Sequence, residues 1–244
     1  MVLVQTSLVE FSLDRVILFT SKNSHKYLTN ILSNYNLTTC KSATTTGMST
    51  YSSNLQQCDE PLDSAEHTQY RSTVGKLMWL IAIRYDIFYA VKELSRNLTA
   101  PTQYDLAKLK HLLRYLRGTL SLVTVLRPQI QFTVGNVLDI QAFTDSDWAG
   151  CQKTRKSTFG TVVQILGCTV IALSRTQQTL ALSSGEAELY AIGTSILESL
   201  HIRSFMLEIG LSKKCNITIH TLIPQLQSPW LHALGLRGRL VILT

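Results

Sequence analysis

At 244 residues, with 45% hydrophobic and 16% charged residues, the chain has room for one large domain or two small ones and suits a globular protein with a real core. Its formal net charge of +7 points to an anionic partner, for which nucleic acid and an anionic membrane surface have the same sign. Five widely spaced cysteines (Cys40, Cys58, Cys151, Cys168, Cys215) with no CxxC pair argue against zinc and for reduced thiols. No apolar run reaches the roughly 18 residues of a membrane span, and the start MVLVQTSLVEFSLDR lacks a signal peptide's basic start and cleavage site. The expectation is a cytoplasmic or nuclear protein, neither secreted nor in a membrane.

The first elements are sparse. Residues 26–37 read as a short helix with Tyr27, Leu28, Ile31 and Leu32 as its apolar stripe, followed by a Thr- and Ser-rich loop to about Pro61. From Tyr70 the pattern sharpens: Val74, Leu77, Met78, Ile81 and Ala82 fall at helical spacing. After a break near Tyr85, a second helix is predicted over 88–98, ended by Pro101. Thr102 and Asp105 have the spacing of an N-terminal capping box. The helix they open has Leu106, Leu109, Leu113 and Leu116 on one side and stops at Gly118. Lys110, Arg114 and Arg117, flanked by Lys108 and His111, form a basic face, either solvated or tracking phosphates.

Further on the period changes. Leu138, Ile140 and Ala142 alternate up to Thr144, as in a strand; 158–166 and 168–173 are two more strands turning at Gly167. Ser183 and Glu186, again at capping-box spacing, announce a long helix over 185–207, and Ile217 and Ile219 mark a further strand. Three strands, a helix and a fourth strand entered by crossover make an α/β unit.

Two acidic sites stand out. Asp145 and Asp147 lie at the end of the first strand, in TDSDWAG (144–150); Glu186 and Glu188 lie in the first turns of the long helix, in ALSSGEAELYA (181–191). A carboxylate from a strand end and one from a helix start supply the oxygen ligands that hard cations such as Mg²⁺ prefer. Each alone is more often a turn residue or a complement to the helix dipole.

In this order, TDSDWAG, RKSTFG (155–160) and ALSSGEAELYA resemble the ribonuclease H domain of copia-type retrotransposon Pol polyproteins. The upstream run QYRSTVGKLMWLIAIRYDIFYAVKELSRNLTAPTQYDLAKLKHLLRYLRGT resembles the stretch joining reverse transcriptase to that domain, so the resemblance covers 66–221. Within it, Tyr85 stands where the family usually has Pro. The resemblance implies a ribonuclease H-like mixed sheet with a crossover helix, incomplete at its C-terminus and preceded by a mainly helical connection segment. It divides the chain into an irregular segment with linker at the end of reverse transcriptase (1–65), the helical connection (66–130), a partial ribonuclease H-like domain (131–221) and an aberrant tail (222–244). It implies Asp145 and Glu188 as metal ligands and catalytic residues, Asp147 and Glu186 as acidic neighbours, and Mg²⁺ (or Mn²⁺) as cofactor. The partner is an RNA–DNA hybrid or other nucleic acid, met by Lys108, Lys110, Arg114 and Arg117.

The resemblance breaks at the third ligand, an Asp just after the fourth strand, where ITIHT is followed by Leu222. The Tyr-x-Asp-Asp signature of a polymerase is absent, as no Asp-Asp pair occurs. Residues 222–244 contain no acidic residue. One explanation is a shifted reading frame, in a decayed element or a misjoined gene model: codons can be chosen for Leu222 through Leu243 that, read one nucleotide earlier, spell TDSTAAKSMATRIGTSRTPSHI, restoring the missing TDS. The expected function is therefore hybrid-cleaving ribonuclease H chemistry, impaired or lost; the alternative is a non-catalytic remnant that binds nucleic acid through the basic helical face.

Overall fold

A computed structural model describes residues 17–19, 22–48, 60–122, 124–126, 137–151, 154–221 and 239–242. The chain runs β1 (Ile17–Phe19), α1 (Lys22–Ser33), α2 (Ser64–Leu80), a 3₁₀ turn (Tyr85–Ile87), α3 (Phe88–Ser95), α4 (Gln103–Gly118), β2 (Thr124–Leu126), β3 (Val137–Asp147), β4 (Thr158–Ile165), β5 (Cys168–Thr176), α5 (Ser184–Glu208), β6 (Lys214–Thr221) and β7 (Arg239–Ile242). It is a mixed α/β architecture. Residues 49–59 of the expected Ser/Thr-rich linker, Cys58 among them, and tail residues 222–238 and 243–244 lie outside the described residues.

Helices α1 to α4 close on one core, in which Tyr70, Leu77, Leu109, Leu112, Leu113 and Leu116 are fully buried. The Tyr70 hydroxyl donates to Leu94 O (2.8 Å), so this phenol is buried with its polar end satisfied. Helix boundaries follow caps more than apolar spacing. Helix α2 begins six residues before Tyr70 because the Asp63 side chain accepts from Glu66 N (2.7 Å). Helix α1 ends at Ser33, short of the expected 37, because Asn36 turns left-handed (φ 55°). There Leu37 N donates to Leu32 O and Asn36 N to Ser33 O, closing a Schellman motif. Thr102 and Asp105 form the reciprocal capping box that opens α4.

An ion pair between a buried arginine and a solvent-facing aspartate ties this unit together. Arg84, 5% exposed, makes two bonds to Asp86 (2.9 and 2.7 Å) and two to Thr119 (O and Oγ1, 2.9 and 2.8 Å); Tyr115 donates to Asp86 (2.9 Å). Burial alone would raise the Asp86 carboxyl, but hydrogen bonds from Arg84 and Tyr115 outweigh it and hold it below the usual carboxylate range. Nearby, β1 and β2 pair antiparallel, Leu18 opposite Val125, where the sequence analysis expected no strand.

The second unit is a five-stranded sheet ordered β5-β4-β3-β6-β7. Leu166 and Gly167 both have positive φ (52° and 79°), the geometry of a type I′ turn, and join β4 to β5 as a hairpin. Strand β3 pairs antiparallel with β4 and parallel with β6, reached through α5. Leu138, Ile140 and Ala142 of β3, Val163 and Ile165 of β4, and Cys215, Ile217 and Ile219 of β6 bury one face against Ile196, Leu200, Met206 and Leu207 of α5. Gly210 (φ 71°) ends α5 in a second Schellman motif. The sheet is more complete than the sequence suggested: Arg239–Ile242, from the tail, adds an antiparallel edge strand to β6. Phe88 of α3 packs against Phe159 and Leu173 of the sheet, and Lys92 Nζ donates to Thr158 Oγ1 (2.9 Å), joining the two units.

Removing the partner of a buried charge leaves that charge uncompensated. Asp86→Ala is expected to lower unfolding free energy by about 3 kcal/mol. Lys108→Ala leaves the buried Asp105 carboxylate still bonded by Asn97 and Thr102, and is expected to cost less than about 1 kcal/mol. Urea titration of the two variants beside the parent chain checks the contrast.

Candidate functional site

The end of β3 and the first turn of α5 meet. Thr144, buried, bonds Gly160 O (3.1 Å) through its hydroxyl and fixes the strand end against β4. Asp145 follows and is exposed. The next backbone N–H, from Ser146, donates to Glu188 Oε1 (3.3 Å) and so brings the two predicted carboxylates together. Glu188 is 8% exposed, and its Oε2 is buried without a hydrogen-bond partner among the described residues.

These surroundings push the Glu188 carboxyl up to about 7. Burial is the largest cause and the negative charge of Asp145 the next; the Ser146 N–H, which favours the anion, opposes them. Only when protonated can Glu188 donate to the Asp145 carboxylate, which also favours its neutral form. Burial and Asp145 thus favour the neutral form of Glu188, and a nearby positive charge would favour the anion.

The two expected acidic neighbours have local tasks. Asp147 Oδ1 accepts from Thr158 N, and a side chain at Gly150 would overlap the Asp147 carboxylate, which explains the glycine. The Glu186 carboxylate accepts from Leu182 N (2.7 Å), while Ser183 Oγ accepts from Glu186 N (3.1 Å). The expected cap is present, but its returning bond reaches one residue beyond Ser183. Trp148 Nε1 donates to Ala181 O (3.1 Å) and ties the acidic loop to the segment before α5.

One contributor went unseen in the sequence. Gln177, buried just after β5, donates from Nε2 to Ala187 O (2.7 Å) and to Ser146 Oγ (3.3 Å). A glutamine in a Gln-Gln pair after a strand gives no periodic or motif signal.

Among the described residues no group of three or more His, Cys, Asp and Glu side chains could hold a metal. The acidic side chains brought together here are Asp145 and Glu188, two carboxylates where a pair of hard cations would need more oxygen ligands. The β3–β6 register pairs Thr144 with Thr221. The residue after Thr221 is Leu222, which lies outside the described residues.

The four predicted phosphate contacts lie on α4, apart from the carboxylates in sequence and in element. Lys108 pairs with Asp105 (3.3 Å) and sits 4.0 Å over the Tyr104 ring. Arg114 Nε donates to Lys41 O (2.8 Å) and Arg117 Nε to Thr38 O (3.2 Å), so both hold the loop before residue 48 against the helix. Lys110 is exposed. No helix among the described residues is long and apolar enough to cross a membrane.

The fold and site thus define a mixed α/β protein with a paired-carboxylate centre joined to a helical unit. No family model and no solved structure matches the chain. Curated proteins do. An uncharacterized mitochondrial protein of Arabidopsis thaliana is 35% identical over 174 residues, 71% of this chain and 68% of that protein. The retrovirus-related Pol polyprotein from transposon RE1, also of Arabidopsis thaliana, is 32% identical over 189 residues, 78% of this chain and 12% of the polyprotein. That from transposon TNT 1-94 of Nicotiana tabacum is 29% identical over 196 residues, 79% of this chain and 14% of the polyprotein. The chain belongs to the copia-type retrotransposon Pol family and spans a small part of the polyproteins it matches.

Because the folded state raises the Glu188 pKa, its stabilising effect is complete below the unfolded value near 4.5 and is lost as pH rises through about 7. Without added metal, Glu188→Gln is expected to stabilise the chain by about 2 kcal/mol at pH 8 and to be close to neutral at pH 4. Urea unfolding in EDTA at both pH values checks this; an equal effect at both contradicts the assigned burial.

Proposed function

We propose that β3 to β6 and α5 form a ribonuclease H-type domain whose centre is reduced to Asp145 and Glu188. It engages RNA–DNA hybrid, holds one divalent cation and cleaves the RNA strand far more slowly than a complete site. The observation that carries this reading is the Ser146–Glu188 bond, which sets a buried carboxylate with an unpartnered oxygen beside an exposed one. Family membership and the order of elements, a hairpin-forming strand, a crossover helix and a parallel strand, support it.

Bound Mg²⁺ or Mn²⁺ supplies a water of lowered pKa and stabilises charge on the leaving oxygen. Asp145, exposed, offers its oxygens to solvent and substrate; Glu188 offers Oε2 from the buried side. The Ser146 N–H keeps Glu188 oriented, and Asp147 and Glu186 shape the two loops that carry the pair. A site that needs two cations loses most of its rate when it binds only one. The basic-face alternative has less support, because Arg114 and Arg117 are engaged with loop carbonyls.

The test is cleavage of a labelled RNA–DNA hybrid with Mg²⁺ or Mn²⁺. Trace cleavage is expected, abolished by Asp145→Asn. Leu222→Asp, which supplies an acid directly after Thr221, is expected to raise the rate by at least about 100-fold, since a direct oxygen ligand matters more than the outer partners whose loss costs about 10–100-fold. Vigorous cleavage by the unaltered chain, or cleavage unchanged in Asp145→Asn, contradicts the reading.

A further inference from the structure

Gln177 occupies a position that neither the family resemblance nor the carboxylate chemistry accounts for. Its backbone is fixed at the end of β5, where its N–H donates to Ser157 O (2.8 Å). Its side chain is 5% exposed, and its one NH₂ group reaches two elements at once: Ala187 O in the first turn of α5 (2.7 Å) and Ser146 Oγ at the end of β3 (3.3 Å). Ala187 precedes Glu188, and Ser146 follows Asp145. A single amide thus ties together the two residues adjacent in sequence to the two carboxylates.

The chemistry of the side chain matters here. Only a carboxamide of this length offers two N–H donors from one nitrogen while staying neutral. Glutamate would lose both donors and add a third negative charge beside the pair; methionine would fill the space and donate nothing. The arrangement also has a cost, since Gln177 Oε1 is buried without a partner among the described residues. A core residue selected for stability alone would be apolar here.

We propose that Gln177 is a positioning residue that locks the first turn of α5 to the end of β3 and thereby sets the spacing of Asp145 and Glu188. The proposal rests on reading that pair as the cation-holding centre. Apolar packing holds the body of α5 over β3, and Trp148 reaches Ala181 ahead of the helix. Between the strand end and the first turn themselves, loss of the amide leaves the Ser146–Glu188 bond (3.3 Å).

The test uses the full chain and two readouts, amide hydrogen exchange by NMR and Mn²⁺ uptake read from the free-ion electron paramagnetic resonance signal. In Gln177→Met, exchange at the Ser146 amide is expected to rise at least tenfold, while the Ile140, Val163 and Ile217 amides in the sheet core keep their protection. Mn²⁺ affinity is expected to fall about tenfold, as for loss of a partner that orients a metal ligand. Ser146→Ala removes the β3 end of the tie with little risk to folding, and the same direction is expected for the residue-146 amide and for Mn²⁺; it carries the test if Gln177→Met does not fold. Unchanged exchange at residue 146 overturns the proposal, and so does exchange that rises equally across the sheet, which makes Gln177 an ordinary core residue. Local loss of protection at residue 146 in a chain whose parent takes up no Mn²⁺ upholds the positioning role and removes the cation reading instead.

Discussion

Parallel strands cannot be joined by a tight turn, and the pairing of β3 with β6 therefore requires a long connection that crosses over the sheet. Here the connection comprises the β4–β5 hairpin, the loop through Gln177 and Ala181, and the 25 residues of α5. Because α5 must lie over β3, β4 and β6 to cover Leu138, Ile140, Val163 and Ile217, its start falls at the end of β3 where Asp145 stands. The same pairing ends at Thr144 and Thr221, so the position of the carboxylate pair follows from one strand register.

The fold does not depend on the chemistry it positions. The sheet core is built from aliphatic residues of β3, β4, β6 and α5, and the helical core from Tyr70 and the leucines of α2 and α4; neither uses a site carboxylate. Glu188 even opposes folding when ionised, since burial and Asp145 both disfavour its charge. Substitution of a site carboxylate is therefore compatible with the architecture. In the tail, residues 239–242 still extend the sheet beside β6, although the sequence after Thr221 departs from the family pattern.

Much of the sheet was legible because its signals are local. Gly167 marks the hairpin turn, Ser183 and Glu186 mark the start of α5, and the alternation from Leu138 to Thr144 marks β3. The boundaries of α1 and α2 were not, because Asn36 and Asp63 act through a left-handed turn and a side-chain cap outside the apolar stripes. Strands β1 and β2, three residues each, are too short to show a period. Asp145 and Glu188 became a site only through the order of motifs around them, since each alone reads as a turn or dipole residue. Contacts between distant segments stayed hidden altogether: the Arg84 network, the loop that Arg114 and Arg117 hold, and Gln177 all depend on partners no spacing announces.

The central claim is that Asp145 and Glu188 form one cation-holding centre. Its most direct test is a Mn²⁺ titration followed by paramagnetic broadening of backbone amide signals in the full chain. The account predicts that broadening starts at residues 145, 146 and 188 and disappears in Asp145→Asn. Broadening that begins elsewhere, or that persists unchanged in that variant, would contradict it.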